Sequence, residues 1–286
     1  MKIQLLSDLH LETQPDFTFR PAPGADLLVL AGDIGSYQRG SRLADEDFGL
    51  ARFSPRHGWP VPVLYVPGNH EYDGLDFDLT HARLRATCER LGMVWLERES
   101  LVLEGVRFIG TTLWSDFDAL GQGPEGQSSS LAHSLKMREK AFRAANFYLQ
   151  KAHSLRHGQP LLAEQVREQA LLCQAWLREA LAVPFDGPTV VVTHFAPSLD
   201  SADPRYGLSP GTAGFCNALD ALLPQAQLWL HGHLHCPSHY VKHGCRVVAN
   251  PLGYAQKGEQ DAFRPDFLIE IAPRSSRNGL EQLSKQ

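Results

Sequence analysis

Five short apolar runs recur along the chain, and each ends in polar residues. They are KIQLLS at 2–7, ADLLVLA at 25–31, VPVLYV at 61–66, TVVVT at 189–193 and AQLWLH at 226–231. The runs are near-continuous rather than alternating, the pattern of strands covered on both faces. Helix-like or irregular stretches separate them, which predicts an α/β fold. A second group of runs, MVWLE, SLVLEG, VRFIGTTLW, CRVVAN and DFLIEI, carries more hairpin signals. Glu104-Gly105, between two β-rich runs, predicts a tight turn. The pattern as a whole predicts two sheets packed together, with helices outside.

Residues 115–180 differ. GQGPEGQSSS at 121–130 is a flexible loop by composition. Two helices are predicted after it, over SLKMREKAFRAANFYLQKAH and LLAEQVREQALLCQAWLREAL, with RHGQP breaking between them. In the second, Leu162, Val166, Ala170, Cys173 and Leu177 recur at helical spacing, which reads as a core-facing stripe. The chain to residue 272 then reads as one domain with a largely helical insertion at about 115–180. The remainder, 273–286, is a polar and mobile tail.

Composition narrows the classes. The chain has 286 residues, 43% hydrophobic and 21% charged, ample for a core. A formal net charge of −5 provides no basic footprint, so neither extended nucleic acid nor an anionic membrane is the expected partner. A small phosphate-bearing ligand stays compatible, because a local cation overrides the global sign. The five cysteines are scattered, with no CxxC, which fits a reducing compartment. MKIQLLSD is too short in its apolar run for a signal peptide, and no stretch has the apolar length of a membrane span. A cytoplasmic protein is expected.

The polar ends of the five runs carry the chemistry. They are Ser7-Asp8-Leu9-His10, Gly32-Asp33, Gly68-Asn69-His70-Glu71, Thr193-His194 and Gly232-His233-Leu234-His235. In open α/β sheets, ligands bind at the carboxyl ends of the strands, so these endings should face one crevice. Pooled, they offer two Asp, one Asn and at least four His. Imidazole with carboxylate suits zinc, manganese, iron, cobalt or nickel. In an extended segment, residues i and i+2 share a side, so Asp8 should point with His10 and His233 with His235. The glycines beside Asp33, Asn69 and His233 allow close backbone approach. Each block alone has a plainer reading as a cap, a turn or a structural histidine. Together, at the ends of five runs, they predict a metal site.

The ordered set D-x-H, GD, GNHE, H, GHxH resembles the calcineurin-like metallophosphoesterase family, over residues 8–235. That resemblance implies a four-layer fold, a two-sheet β-sandwich flanked by helices. It implies two divalent transition-metal ions, manganese first, with iron, zinc, nickel or cobalt possible. Asp8, His10, Asp33 and His235 should hold one ion. Asp33, Asn69, His194 and His233 should hold the other, with Asp33 bridging. A metal-bridging hydroxide would attack phosphorus in line. Asn69 and His70 would contact the phosphoryl group, and His70 would protonate the leaving oxygen without binding metal. His231 falls outside GHxH and reads as structural, or as a hydrogen-bonding support that orients a neighbouring ligand. Glu71 reads as a loop or helix-start residue.

Departures from subgroup patterns guide the substrate class. Ser/Thr protein phosphatases carry GDxVDRG and RGNHE, whereas this chain has GDIGSYQRG and VPGNHE. Pro67 stands where an arginine would grip a phosphomonoester. His70 stands where UDP-diacylglucosamine hydrolases carry arginine. The expected substrate is therefore a small phosphodiester of nucleotide type, the alternative being a phosphomonoesterase of broad specificity. A non-catalytic scaffold on the same fold is opposed by the complete set of competent ligands. Tyr206, Arg205 and Asp116 are candidate substrate contacts at the rim. HCPSHYVKHGC at 235–245 fits no standard structural zinc spacing.

Overall fold

The structure is a computed structural model and describes residues 1–121 and 129–272. Most of the predicted 121–130 loop and the whole predicted tail lie outside the described residues. In chain order the strands are β1 (Lys2–Leu6), β2 (Leu27–Ala31), β3 (Val63–Val66), β4 (Val94–Trp95), β5 (Glu99–Leu103) and β6 (Val106–Thr111). They continue with β7 (Leu155–Arg156), β8 (Gln159–Pro160), β9 (Thr189–Thr193), β10 (Leu228–His231), β11 (Ser238–Lys242), β12 (Cys245–Ala249) and β13 (Leu268–Glu270). The α-helices are α1 (Phe77–Leu91), α2 (Leu131–Ala152) and α3 (Ala163–Ala182).

Two sheets form the centre. One has the order β13-β1-β2-β3-β4, the other β11-β12-β10-β9-β6-β5. Within the first, β1 to β4 run parallel and β13 is antiparallel. Within the second, β6, β9, β10 and β12 run parallel, while β5 and β11 are antiparallel edges. Alternate residues of each strand meet between the sheets: Leu5, Val29 and Leu64 from one, Phe108, Val190, Val192, Leu230 and Val248 from the other. The intervening residues, such as Leu28, Tyr65, Val191 and Trp229, face outward and join a second core with Leu84 and Cys88 of α1 and Cys173 and Leu177 of α3. Both faces are covered, which is why the runs are almost wholly apolar. Each such side chain contributes roughly 1.5–3 kcal/mol by leaving water. The layers are α/β/β/α, as the resemblance implies.

The Glu104-Gly105 turn joins β5 to β6, with Leu103 opposite Val106. Both central residues have positive φ, 48° and 77°, the requirement of a two-residue type I′ hairpin. The same device recurs unannounced at His243-Gly244, between β11 and β12. That hairpin takes up the Cys/His-rich 235–245 segment and buries Cys245. In α3, Val166, Ala170, Cys173 and Leu177 are buried as the spacing predicts, while Leu162 is the N-cap. RHGQP carries a two-residue hairpin, β7 with β8. Helix α1 has no counterpart in the apolar pattern. Its buried positions include Thr80 and Thr87, which dilute the stripe, although Asp76 caps its start and Gly92 (φ 71°) ends it. Among the described residues no helix is long and apolar enough to cross a membrane.

The parallel strands send their carboxyl ends to one edge, where the sheets are tied together. Leu252 N donates to Ser7 O at 3.0 Å and Gly253 N to Asp8 O at 2.9 Å, fastening the chain after β12 to the end of β1.

Candidate metal centre

The loops leaving the strands are strongly kinked. Asp8, His10, Asp33, His233 and His235 all have positive φ, between 44° and 74°. Left-handed backbone costs a non-glycine residue on the order of 1–2 kcal/mol, and its concentration at one place marks a site held by its surroundings. The expectation drawn from an extended segment is therefore corrected. The alternation rule does not apply to these kinks. Asp8 and His10 still converge, but His233 and His235 part company.

Two groups of donors result. Ligand atoms of Asp8, His10, Asp33 and His235 lie within 4.8 Å of one another, as do those of Asp33, His194 and His233. Asn69 joins the second group, with its Oδ1 3.2 Å from His194 Nε2. All seven predicted ligands thus come together, and Asp33 belongs to both groups. The glycines make room. A Cβ on Gly32 would lie 2.3 Å from His194 Nδ1, one on Gly68 2.1 Å from Asp33 Oδ1, and one on Gly232 2.6 Å from Asp8 Oδ2. Those contacts are too short for any side chain.

Partners behind the ligands set their tautomers. His10 Nδ1 is 3.0 Å from Glu12 Oε1, and His235 Nδ1 is 2.7 Å from Glu259 Oε2. Ionised carboxylates only accept, so both Nδ1 atoms carry the proton. The two Nε2 atoms then face each other across 2.9 Å. In these tautomers both are lone pairs, an arrangement that calls for a shared cation or an added proton. His194 Nδ1 donates to Ala31 O at 2.8 Å, which frees its Nε2 in the same way. The His233 ring lies between Phe195 and Phe215, with centroids 4.0 Å and 4.9 Å away. Tyr254 stacks on His10 at 4.2 Å.

Asp33 is the hinge of the arrangement. Its Oδ1 accepts from His70 N at 2.8 Å. Its Oδ2 is buried and accepts no hydrogen bond among the described residues. His194 Nε2 stands 3.2 Å from that oxygen as an ion-pair partner, and His10 Nε2 stands 4.0 Å away. A buried carboxylate oxygen left in this state is costly unless a cation meets it. Burial opposes the charge on Asp33, but His194 and His70 outweigh it and hold its carboxyl well below the usual range. Burial also opposes ionisation of Asp8, yet His235 brings it down to about 2. Both acids are ionised at neutral pH, the form that binds metal. His194 and His235 are raised to about 9 against the pull of burial, by Asp33 and by Asp8 with Glu259 respectively. Metal binding at these rings therefore displaces protons.

Two further residues organise the loops. His70, with its side chain 28% exposed, holds buried Asp73 through Nδ1 at 2.5 Å. Its ring lies 5.0 Å from that of His10. Glu71 is more than a loop residue. It is fully buried and accepts from Asp33 N, Ile34 N, Gly68 N and Tyr65 Oη at 2.8–3.2 Å, clamping the second strand's end to the third's. Burial, then repulsion from Asp33, pushes its carboxyl up to about 8. His231 is buried against Ser201 Oγ (3.0 Å) and Gly232 O (2.9 Å), a structural part as expected.

The rim candidates separate. Asp116 is buried and accepts from Gln174 Nε2 at 2.8 Å, so it fastens the chain after β6 to α3 rather than facing the rim; that expectation is corrected. Arg205 is exposed and held in a bidentate pair with Asp203, and Tyr206 is exposed. Sequence reasoning missed Glu12, Asp73, Glu259, Phe195, Phe215 and Tyr254. Glu12 and Asp73 had a signal, an acid two or three positions after a site histidine. Glu259 lies 24 residues from its partner and had none.

A sequence profile of calcineurin-like phosphoesterases matches residues 1–237. The "Uncharacterized protein L509" of Acanthamoeba polyphaga mimivirus is 27% identical, over 94% of this chain and 96% of its own. Among solved structures, the phosphopantetheinyl hydrolase of Mycobacterium tuberculosis superposes with a TM-score of 0.64, at 21% identity, over 94% of this chain and 95% of that one. A dimetal phosphatase from Danio rerio gives 0.46 at 14% identity, over 87% and 86%. With the profile covering most of its length, and both donor groups at the strand ends, this chain belongs to the calcineurin-like phosphoesterase family.

Proposed function

We propose that the chain hydrolyses phosphodiesters of nucleotide type at a two-metal centre. One observation carries the reading: His10 and His235 meet Nε2 to Nε2 at 2.9 Å, beside a buried Asp33 oxygen that accepts no hydrogen bond among the described residues. Asp8, His10, Asp33 and His235 would hold one ion, and Asp33, Asn69, His194 and His233 the other. The donor set suits manganese, our first choice, and equally iron, cobalt, nickel or zinc. When bound, such ions supply Lewis acidity and activate water near neutral pH. The chain does the rest. Asn69 spends its Oδ1 toward His194 and keeps its amide NH₂ for a phosphoryl oxygen. Asp73 fixes the His70 tautomer through Nδ1, which leaves Nε2 to hand a proton to the leaving oxygen. Burial opposes the His70 charge, but Asp73 and Asp33 hold it well above its usual value, in the acid form this role needs. Pro67 in place of an arginine favours the single charge of a diester over a monoester.

The test is kcat/KM of the manganese-reconstituted protein on bis(p-nitrophenyl) phosphate and p-nitrophenyl phosphate. A diester preference of about tenfold or more is expected, a difference of ~1.4 kcal/mol. Preference for the monoester would mean a broad phosphomonoesterase. Full metal loading with no turnover of either would leave a scaffold. His70→Gln should keep both metals and lower kcat by roughly 10²–10⁴ on alkyl esters, less on aryl ones. Unchanged kcat on an alkyl ester would remove the acid role.

A further inference from the structure

Helix α2 does not behave as a core element. Across its 22 residues only Ala141 is fully buried. It carries five cations against one carboxylate, in a chain whose net charge is negative. Lys140, Arg143, Ala144, Phe147 and Tyr148 follow the i, i+3, i+4, i+7, i+8 spacing of a single face. That face forms one wall of a cavity of about 550 Å³, and Ser209, Pro210 and Gly211 form the other. It is a shallow, open depression, suited to a ligand that lies along the surface.

Both walls are joined through the chain to loops of the metal centre. At the end of α2, Ala152 O accepts from Gly74 N at 2.8 Å, one residue from the Asp73 that holds His70. Tyr148 stands about 6 Å and Lys140 about 18 Å up the helix from Ala152, at 1.5 Å per residue. On the other wall, Gly211 is four residues before Phe215, at most ~14 Å of chain. The Phe215 ring stacks 4.9 Å from that of His233.

The lining has two chemistries. Phe147 and Tyr148 are 58% and 66% exposed, with rings perpendicular at 5.3 Å. Lys151 Nζ covers a face of Phe147 at 3.9 Å, so Tyr148 offers the more accessible ring. Lys140 and Arg143 supply positive charge. Arg143 meets Glu139 at 3.6 Å, but that pair is exposed and weak and leaves the guanidinium available. A ring face beside two cations recognises a base and a phosphate together.

We propose that this cavity is a subsite for the substrate beyond the scissile phosphate. It takes a nucleotide, with the base on Tyr148 and a phosphate on Lys140 and Arg143. The inference rests on the phosphodiester reading above, and its test is arranged so that each can fail alone. The affinity of the manganese-loaded protein for ADP and for pyrophosphate is measured by calorimetry, in wild type, Tyr148→Ala and Lys140→Ala/Arg143→Ala. The double variant should lose about tenfold or more for ADP, and Tyr148→Ala about fivefold for ADP with pyrophosphate unchanged. For a dinucleotide ester, kcat/KM should fall through KM. For bis(p-nitrophenyl) phosphate it should hold, which shows an intact centre. ADP affinity unchanged in the double variant overturns the subsite, and so does an equal loss on the aryl diester. Wild-type ADP affinity in Tyr148→Ala overturns the nucleotide. If the wild type cleaves no diester, the proposed function fails while the ADP affinities still decide the subsite.

Discussion

The two donor groups share Asp33 and little else. Behind the first stand carboxylates, Glu12 on His10 and Glu259 on His235. Behind the second stand neutral contacts. His194 leans on the Ala31 carbonyl, His233 lies between phenyl rings, and Asn69 rides on a loop anchored through Tyr72 and His81. A carboxylate behind a ligating imidazole raises its basicity and fixes its orientation. On the proposed ligand assignment, the first group should therefore be the stronger holder of a cation, and the second the more adaptable. The second is also the group that Phe215 connects to the α2 cavity. The difference teaches that a symmetric-looking set of histidines can make two unequal sites, with the inequality written in the residues behind the ligands.

The largest expected effect abolishes the comparison. Asp33→Asn removes the shared charge, so both groups should lose metal together and turnover should fall by at least ~10³. Metal analysis of the purified variant checks this, and two retained ions with full turnover would refute the shared role. Next in size is a change that separates the groups. Glu259→Gln keeps the hydrogen bond to Tyr254 N within reach but loses the carboxylate behind His235. One ion should bind roughly 10–100-fold more weakly while the other keeps its affinity. Titration with manganese should then show two steps that lie closer together than in the wild type. An equal loss at both sites would mean that Glu259 supports the whole fold of the loop.

Much of this centre was legible in the sequence, and the reason is topological. Parallel strands covered on both faces must be apolar, so their carboxyl ends stand out as the first polar residues after each run. Asp8, Asp33, Asn69, His194 and His233 are visible that way. What decides which group a residue joins is not visible. His233 and His235 separate because both adopt left-handed backbone, which alternation rules cannot anticipate. Periodicity paired them, whereas the structure places His235 with Asp8, His10 and Asp33, and His233 with Asp33 and His194. Glu259 reaches His235 through a loop closed by Gly253 and Gly258, contacts made only in three dimensions. Helix α1 escaped because threonines stand in its buried stripe. The His243-Gly244 hairpin escaped because its strand Ser238–Lys242 is an exposed edge with few apolar residues.

The smallest expected effect probes the neutral support of the second group. His81 Nδ1 meets Tyr72 Oη at 3.1 Å, with Trp95 edge-on to its ring. Burial, then the charge of Arg98, pushes its pKa down to about 4. An unfolded histidine titrates near 6.5. Between pH 6.5 and pH 4 the unfolded chain thus binds a proton that the folded chain refuses, so stability falls as pH falls through that window. His81→Gln keeps a polar partner for Tyr72 but cannot titrate. Compared with wild type by urea unfolding at pH 7.5 and pH 5, the variant should lose less on acidification, by about 1 kcal/mol once partial exposure is allowed for. The carboxylate-backed group supplies no equivalent of this neutral-histidine term, so the difference should show in the His70–Tyr72 segment. Hydrogen exchange of those amides should rise on acidification in the wild type and stay flatter in His81→Gln. Identical acid sensitivity in both proteins would mean that the loop carrying Asn69 is held by Glu71 alone. The contrast between the two groups would then narrow to the residues in direct contact with their histidines.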